Sequence, residues 1–376
     1  LRSSTYDRER SFQASMEFQT TLQDIIHISA NGGKSKLLSQ MKGYEPGSEN
    51  TYLTTRGGFH FTKNHDKYVH LYGQGGLMKI PLDGGIPERV IRVVSPGPNL
   101  YMPKNIPAMG VELSPDEKWL LILDNQQLYL AAAPRAGDKN FTLDLTKPTF
   151  AVKRLTDIGA DYFSWADDGK TIIWSIGSSV YKLPINEISF IEGNNQNVIA
   201  EDRLVSQNIS VSLPFDIPKQ IIVLRGATAL TMRGDEVIEN ADIVIENNRI
   251  KAVGIFGDVN IPDEATIYDV SGKYISPGFI DTHIHWTLRM GLLDYQTWDF
   301  PLNLAYGITA SLDPASVADT FIYQDLIDAG VMLGPRSYST GTKIISNMIR
   351  NVSEERALAL VSRYKDHYRT GNIKIY

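Results

Sequence analysis

Pro277-Gly278-Phe279-Ile280-Asp281-Thr282-His283-Ile284-His285-Trp286 is the stretch on which the reading of this chain turns. Apolar and β-branched residues introduced by Pro-Gly predict a buried strand, whose side chains alternate between two faces. Phe279, Asp281, His283 and His285 then share one face. Ile280, Thr282 and Ile284 share the other, as a parallel strand covered by helices requires. Imidazoles two residues apart stand roughly 6.6 Å apart along a strand and can converge on one ion about 2.0 to 2.1 Å from each nitrogen. Asp281, one pleat behind, is placed to orient the pair as an outer carboxylate. A bare H-x-H is equally the mark of an ordinary strand with two histidines. Here only seven histidines occur in 376 residues, and two fall on the inward face of one apolar strand beside a carboxylate. Burying that much polarity costs several kcal/mol unless it is paired or metal-bound. His283 and His285 are therefore expected to be metal ligands.

Downstream, strands and helices alternate. Residues 307–313 read as a strand with a polar end, 319–329 as a helix closed by Gly330, and 336–341 as a third strand. Ser353 caps a further helix with Glu354 and Glu355 in its first turn. Ala357, Val361, Tyr364 and Tyr368 line its expected apolar face, and Gly371 ends it. In a final strand, 372–376, Ile373 and Ile375 face one way and Lys374 the other. An inward Lys374 either reacts with carbon dioxide to form a carbamate that bridges two metals, or extends its ammonium out of the strand end. Strand-then-helix repetition with chemistry at strand C-termini is the (β/α)8 plan, which takes about 250 residues. The chain from Pro277 onward is expected to supply the first half, the remainder coming from a missing or separate polypeptide.

Upstream, a repeat is legible. Lys67, Lys118 and Lys170 stand 51 and 52 residues apart, and each sits in a polar turn before a β-rich run. A second strand follows each run, starting at Leu77, Leu128 and Val180 with the same spacing. Short strands repeating every 40 to 50 residues or so are the signature of propeller blades. Four blades at most can be counted, so an incomplete propeller is expected over 1–187. His60, His65 and His70 lie on the edge strands and turns of one blade without a carboxylate pattern, and are read as structural. The polar run 192–197 and the stiff Pro214-Phe215-Asp216-Ile217-Pro218 mark a linker over 188–218. A small antiparallel sheet of β-sandwich type is expected over 219–276, with Asn247-Asn248 as a tight hairpin turn, and the half-barrel over 277–376.

A net charge of −6 argues against nucleic-acid or anionic-membrane partners. The chain has no cysteine, which removes disulfides, thiolate nucleophiles and Cys-ligated zinc from consideration. No apolar run approaches the ~18 residues of a membrane span.

The His283–His285 segment, with Tyr306-Gly307-Ile308-Thr309, Leu312-Asp313-Pro314, Gly334-Pro335-Arg336 and Ser339-Thr340-Gly341-Thr342 following in order, resembles the amidohydrolase superfamily, in its imidazolonepropionase-like or prolidase-like subgroup. The turn Ser114-Pro115-Asp116-Glu117-Lys118-Trp119 resembles the blade motif of TolB-type, WD40-like propellers. The resemblance implies a zinc-type hydrolase of amide or cyclic amide bonds, dipeptides included, with one or two divalent ions. In it, His283 and His285 are ligands, and Lys374 matches a strand-four lysine that is carboxylated, bridges two metals and serves catalysis. The superfamily's two later histidines and its proton-shuttling aspartate have no counterparts in this chain. His367 is the one histidine downstream, and it falls on the expected helix. Two rival readings remain open: a propeller-based binding protein with a degenerate barrel, and a deaminase or lactonase on the same barrel. The propeller type implies a periplasmic or secreted protein, with the cytoplasm as the alternative. A small-molecule or dipeptide substrate is the expected partner, and self-association into a homo-oligomer stays open.

Overall fold

The computed structural model describes residues 2–5, 22–42, 59–73, 75–95, 106–134, 141–190, 204–286, 288, 293–295, 297–316, 319–344 and 353–375. They group into two compact units, one of Leu1–Ser210 with Lys343–Tyr376, the other Val211–Thr342. The expected half-barrel 277–376 is thus divided at Thr342. The polar run 192–197 lies outside the described residues.

In the first unit the repeat is built from hairpins, at the three places the spacing predicts. Tyr68–Gly73 pairs with Gly76–Pro81, Trp119–Asp124 with Gln127–Ala132, and Thr171–Ile176 with Ser179–Pro184. Two of these grow into four-stranded antiparallel sheets. Gly110–Leu113 and Val152–Arg154 flank the second, and Tyr162–Ala166 and Val205–Asn208 flank the third. The first belongs to a larger sheet that takes in Phe59–His60, Glu88–Ser95 and Thr142–Asp144. Asn125 and Gln126 both take positive φ in the second hairpin turn, the twist that a two-residue connection needs. Ahead of that hairpin, Ser114 Oγ accepts from the N–H groups of Lys118 (3.1 Å) and Trp119 (3.0 Å) and donates to Asp116 (2.7 Å). The turn is thereby locked before the fully buried run Leu120 to Leu123.

Neighbouring sheets are joined by polar contacts as well as by the core around Tyr72, Leu77, Ile91, Val111 and Leu120. Thr62 and Asn64 donate to Glu117 Oε1 at 2.8 and 2.9 Å, and Leu113 N–H donates to His60 Nε2 at 3.1 Å. The His60 ring stacks on His70 with centroids 5.3 Å apart. Burial holds the His70 pKa down to about 4, so its ring is neutral at ordinary pH.

The C-terminal helix Glu354–Ser362 begins as expected, Ser353 Oγ accepting from Arg356 N–H at 3.3 Å, and runs into a π-helical turn Arg363–Tyr368. Its buried face differs from the expected one. Leu360, Tyr364, Tyr368 and Arg363 are buried, whereas Val361 is exposed. Arg363 is tolerated because its donors are met by the carbonyls of Gln126, Ile158 and Ala160, by Asp161 and by the Tyr368 hydroxyl.

In the second unit, Ile221–Leu230 is one long strand. Gly226, at φ +87°, carries the irregularity in its middle. Val237–Glu246 and Arg249–Ile255 follow in antiparallel order through the Asn247-Asn248 turn, whose residues both take positive φ. Thr266–Asp269 and Tyr274–Ile275 pair with the long strand in parallel, so the sheet is mixed, not purely antiparallel. Beyond it, Phe279–Asp281, Ile308–Asp313 and Arg336–Ser339 form a parallel sheet in sequence order. Helices Asp299–Ala305 and Thr320–Asp328 connect them; the second is the helix expected over 319–329, and the first was not foreseen. Trp286, Phe300, Tyr323, Leu326 and Met332 make the core beneath this sheet. No closed barrel forms among the described residues. Instead of a fourth strand, Ile375 makes an isolated parallel bridge to Ile344. No helix among the described residues is long and apolar enough to cross a membrane.

Candidate metal centre

Gly278 admits the His-bearing segment to the sheet. A Cβ there would lie 2.1 Å from Thr309 Oγ1 and 2.2 Å from its Cγ2, so the first strand can approach the second this closely only without a side chain. The regular strand ends at Asp281, earlier than the alternation predicts, and the two histidines follow it in an irregular segment that bends at Thr282 and His283. Asp281 Oδ1 accepts from His283 N–H at 3.0 Å, a local turn that ends the ladder. Ile284 N–H then rejoins the neighbouring strand at Leu312 O (3.1 Å).

The two imidazoles lie edge to face, with ring centroids 5.2 Å apart. Both are exposed, and the His285 side chain is 44% accessible. The expected burial is therefore not met: Phe279 and Ile280 on the same strand are also more than 60% exposed, because the three-stranded sheet ends at this strand. An exposed pair of imidazoles bears no large burial cost, so it is the approach of the two rings that points to an ion.

A carboxylate does reach the pair, from a neighbouring strand. Asp313, at the C-terminal end of Ile308–Asp313 and 1% exposed, has Oδ1 3.2 Å from His285 Nδ1, while its Oδ2 accepts from Trp286 N–H at 3.1 Å. Burial raises the Asp313 pKa, and the bonds from Trp286, Ser316 and His285 oppose the rise. Its partnership was not foreseen from the sequence. The available signal was the single acidic residue closing an otherwise uncharged strand parallel to the histidine strand.

Asp281 therefore touches the backbone of His283, and Asp313 the ring of His285. Lys374 is half-buried and belongs to the first unit, whereas both histidines belong to the second. Its carbonyl accepts from Ile344 N–H at 2.8 Å. His367 packs within the first unit, its ring 6.5 Å from that of Tyr181. Among the described residues no group of three or more His, Asp or Glu is arranged to hold a metal. The donors of His283 and His285, a soft-edged pair with a carboxylate behind one ring, nonetheless fit a divalent ion of the zinc type in kind.

No protein-family model matches the chain. Among curated proteins, it is 34% identical over 119 residues to adenine deaminase 1 of Rhizobium etli, which covers 31% of this chain and 18% of the relative. It is 38% identical over 85 residues to 5-methylthioadenosine/S-adenosylhomocysteine deaminase of Desulforamulus reducens, covering 22% of this chain and 19% of the relative. The chain thus spans less than a fifth of these relatives. A solved Xaa-Pro dipeptidase is 18% identical, with 42% of this chain and 47% of that one covered and a TM-score of 0.33. A score of that size does not define a shared fold. The curated relatives are enzymes of the amidohydrolase type and support that part of the resemblance.

Proposed function

We propose that the chain is the metal-binding portion of a zinc-type hydrolase that cleaves carbon–nitrogen bonds of amides or cyclic amides, dipeptides included. The observation that carries this is the paired imidazoles of His283 and His285, 5.2 Å apart at the end of a parallel strand, with Asp313 on the far nitrogen of His285. The names of the curated relatives support the bond type.

His283 and His285 would hold the ion. When bound, it supplies a water of lowered pKa and polarises a carbonyl. An ionised Asp313 accepts a hydrogen bond from His285 Nδ1–H, which leaves the Nε2 lone pair free to ligate the ion. Asp281 and Asp313 fix the backbone on either side of His285, through His283 N–H and Trp286 N–H. Lys374, once carboxylated, would add an oxygen ligand between two ions. The parallel sheet is read as the opening of a (β/α)8 barrel, the repeated four-stranded sheets as propeller blades, and the protein as periplasmic or secreted.

Elemental analysis of the full-length protein tests the reading, together with turnover of dipeptides, cyclic amides and aminopurines. One or two equivalents of zinc, lost in His283→Ala and His285→Ala along with turnover, are expected. A full-length protein without bound metal after growth in zinc would overturn it in favour of a binding protein. Turnover confined to aminopurines would replace amide hydrolysis by deamination.

A further inference from the structure

We infer that Asp313 is the positioning residue of the centre: it selects the tautomer of His285 and anchors the segment on which both histidines stand. The inference rests on the proposed metal-binding reading for its consequence, but its geometry stands on contacts within this chain.

Asp313 is 1% exposed, and each of its oxygens has a distinct task. Oδ1 lies 3.2 Å from His285 Nδ1, and Oδ2 accepts from Trp286 N–H at 3.1 Å. With Asp313 ionised, the first bond places the ring proton on Nδ1, because a carboxylate has no proton to give. A neutral imidazole with Nδ1 protonated presents Nε2 as a lone pair, the form that ligates a metal. The second bond ties the main chain immediately after His285 to the end of the adjacent strand. Trp286 itself is buried against Phe300, ring centroids 4.6 Å apart, so the anchored segment is also packed from below. One carboxylate thus restrains His285 at both ring and backbone, although the ring is otherwise open to solvent. An exposed imidazole without such a restraint rotates freely about χ1 and χ2 and loses that entropy on binding an ion.

Two substitutions separate the tasks. Asp313→Ala removes both acceptors. Asp313→Asn keeps the size but has one carbonyl oxygen for two N–H donors, so one of them faces an amide NH2. The full-length protein, labelled with 15N at histidine and stripped of metal, is compared by NMR at a pH where His285 is neutral. The wild type is expected to show His285 with the proton on Nδ1, and Asp313→Ala to return the ring to a mixture in which Nε2–H dominates. In parallel, zinc affinity measured against a competing chelator is expected to weaken about 10- to 100-fold in Asp313→Ala, the usual cost of losing an outer-shell partner. Asp313→Asn should fall between. If Asp313→Ala does not fold, Asp313→Asn carries both comparisons, with the same direction expected.

A wild-type His285 protonated on Nε2, or a tautomer indifferent to Asp313, would overturn the inference even if zinc binds. Equal zinc affinity in wild type and both variants would do the same. A wild type that binds no zinc removes the metal-binding reading, while the tautomer still reports on Asp313 by itself.

Discussion

The guanidinium of Arg363 donates to Asp161 Oδ1 at 2.7 Å across 202 residues of sequence, and both side chains are buried. The Tyr368 hydroxyl meets the same carboxylate oxygen, closing a triangle of Arg363, Asp161 and Tyr368. The contact fastens the C-terminal helical segment to the β-sheets of the first unit. Gly159 makes room for it: at φ +100°, a Cβ there would lie 2.1 Å from Arg363 Nη1.

Removing one partner of this pair leaves the other charged and buried. Arg363→Ala is expected to lower unfolding stability by about 3 to 5 kcal/mol, read from the urea midpoint of the first unit's transition. Arg363→Met, which keeps volume without charge, should remain destabilised because the buried Asp161 loses its cationic partner. The double variant Arg363→Met with Asp161→Leu should recover part of the loss, and failure of that recovery would mean that the carbonyl contacts of Arg363 dominate.

Glu112 sets a second expectation. Burial pushes its carboxyl up to about 7, against a hydrogen bond with Ser164, and burial alone lifts Asp124 to about 6 despite bonds from Ser95 and Asn125. A carboxyl whose pKa is higher in the fold than in the open chain contributes stability at acid pH and loses it as pH rises. For Glu112 that loss runs from its ordinary value near 4.5 up through 7. His70, held down to about 4, acts in the opposite sense: its contribution is present above 6.5 and is lost as pH falls toward 4. Glu112→Gln should therefore gain on the wild type between pH 5 and pH 8, by roughly 2 to 3 kcal/mol. Denaturation curves at the two pH values measure it, and parallel pH dependence in variant and wild type would count against the buried carboxyl.

Gly278 is expected to resist substitution. Gly278→Ala drives a methyl into Thr309, at a cost of about 1 to 3 kcal/mol for overpacking. Thr309→Ala removes the two nearest atoms and leaves the Thr309 Cβ position at 2.7 Å, so the double variant should regain part of the loss. Strict additivity of the two changes in thermal unfolding would show that Gly278 is needed for another reason.

Lys374 can be tested by counting metal. If it bridges two ions once carboxylated, Lys374→Ala should reduce two equivalents per chain to one or none, while His283→Ala empties the centre. Two equivalents retained in Lys374→Ala would remove the lysine from the ligand set.

What the sequence determined by itself is local. The paired strands of each repeat, the Asn247-Asn248 turn, the Ser353 cap and the order of parallel strands follow from period-two alternation, positive-φ residues and capping side chains within a few positions of one another. The spacing of His283 and His285 likewise brought their rings together without help from the rest of the chain. The tertiary structure decided everything that depends on distant pairing. It carried Lys343–Tyr376 to the N-terminal sheets, buried Arg363 where an apolar face was expected, and set Asp313, not Asp281, against the ring of His285. Such pairs leave no periodic trace, since a charge is buried only where distant carbonyls and carboxylates arrive to meet it. The exposure of His283 and His285 has the same origin: a strand's alternation tells which residues share a face, and only the neighbouring strands decide whether that face is covered.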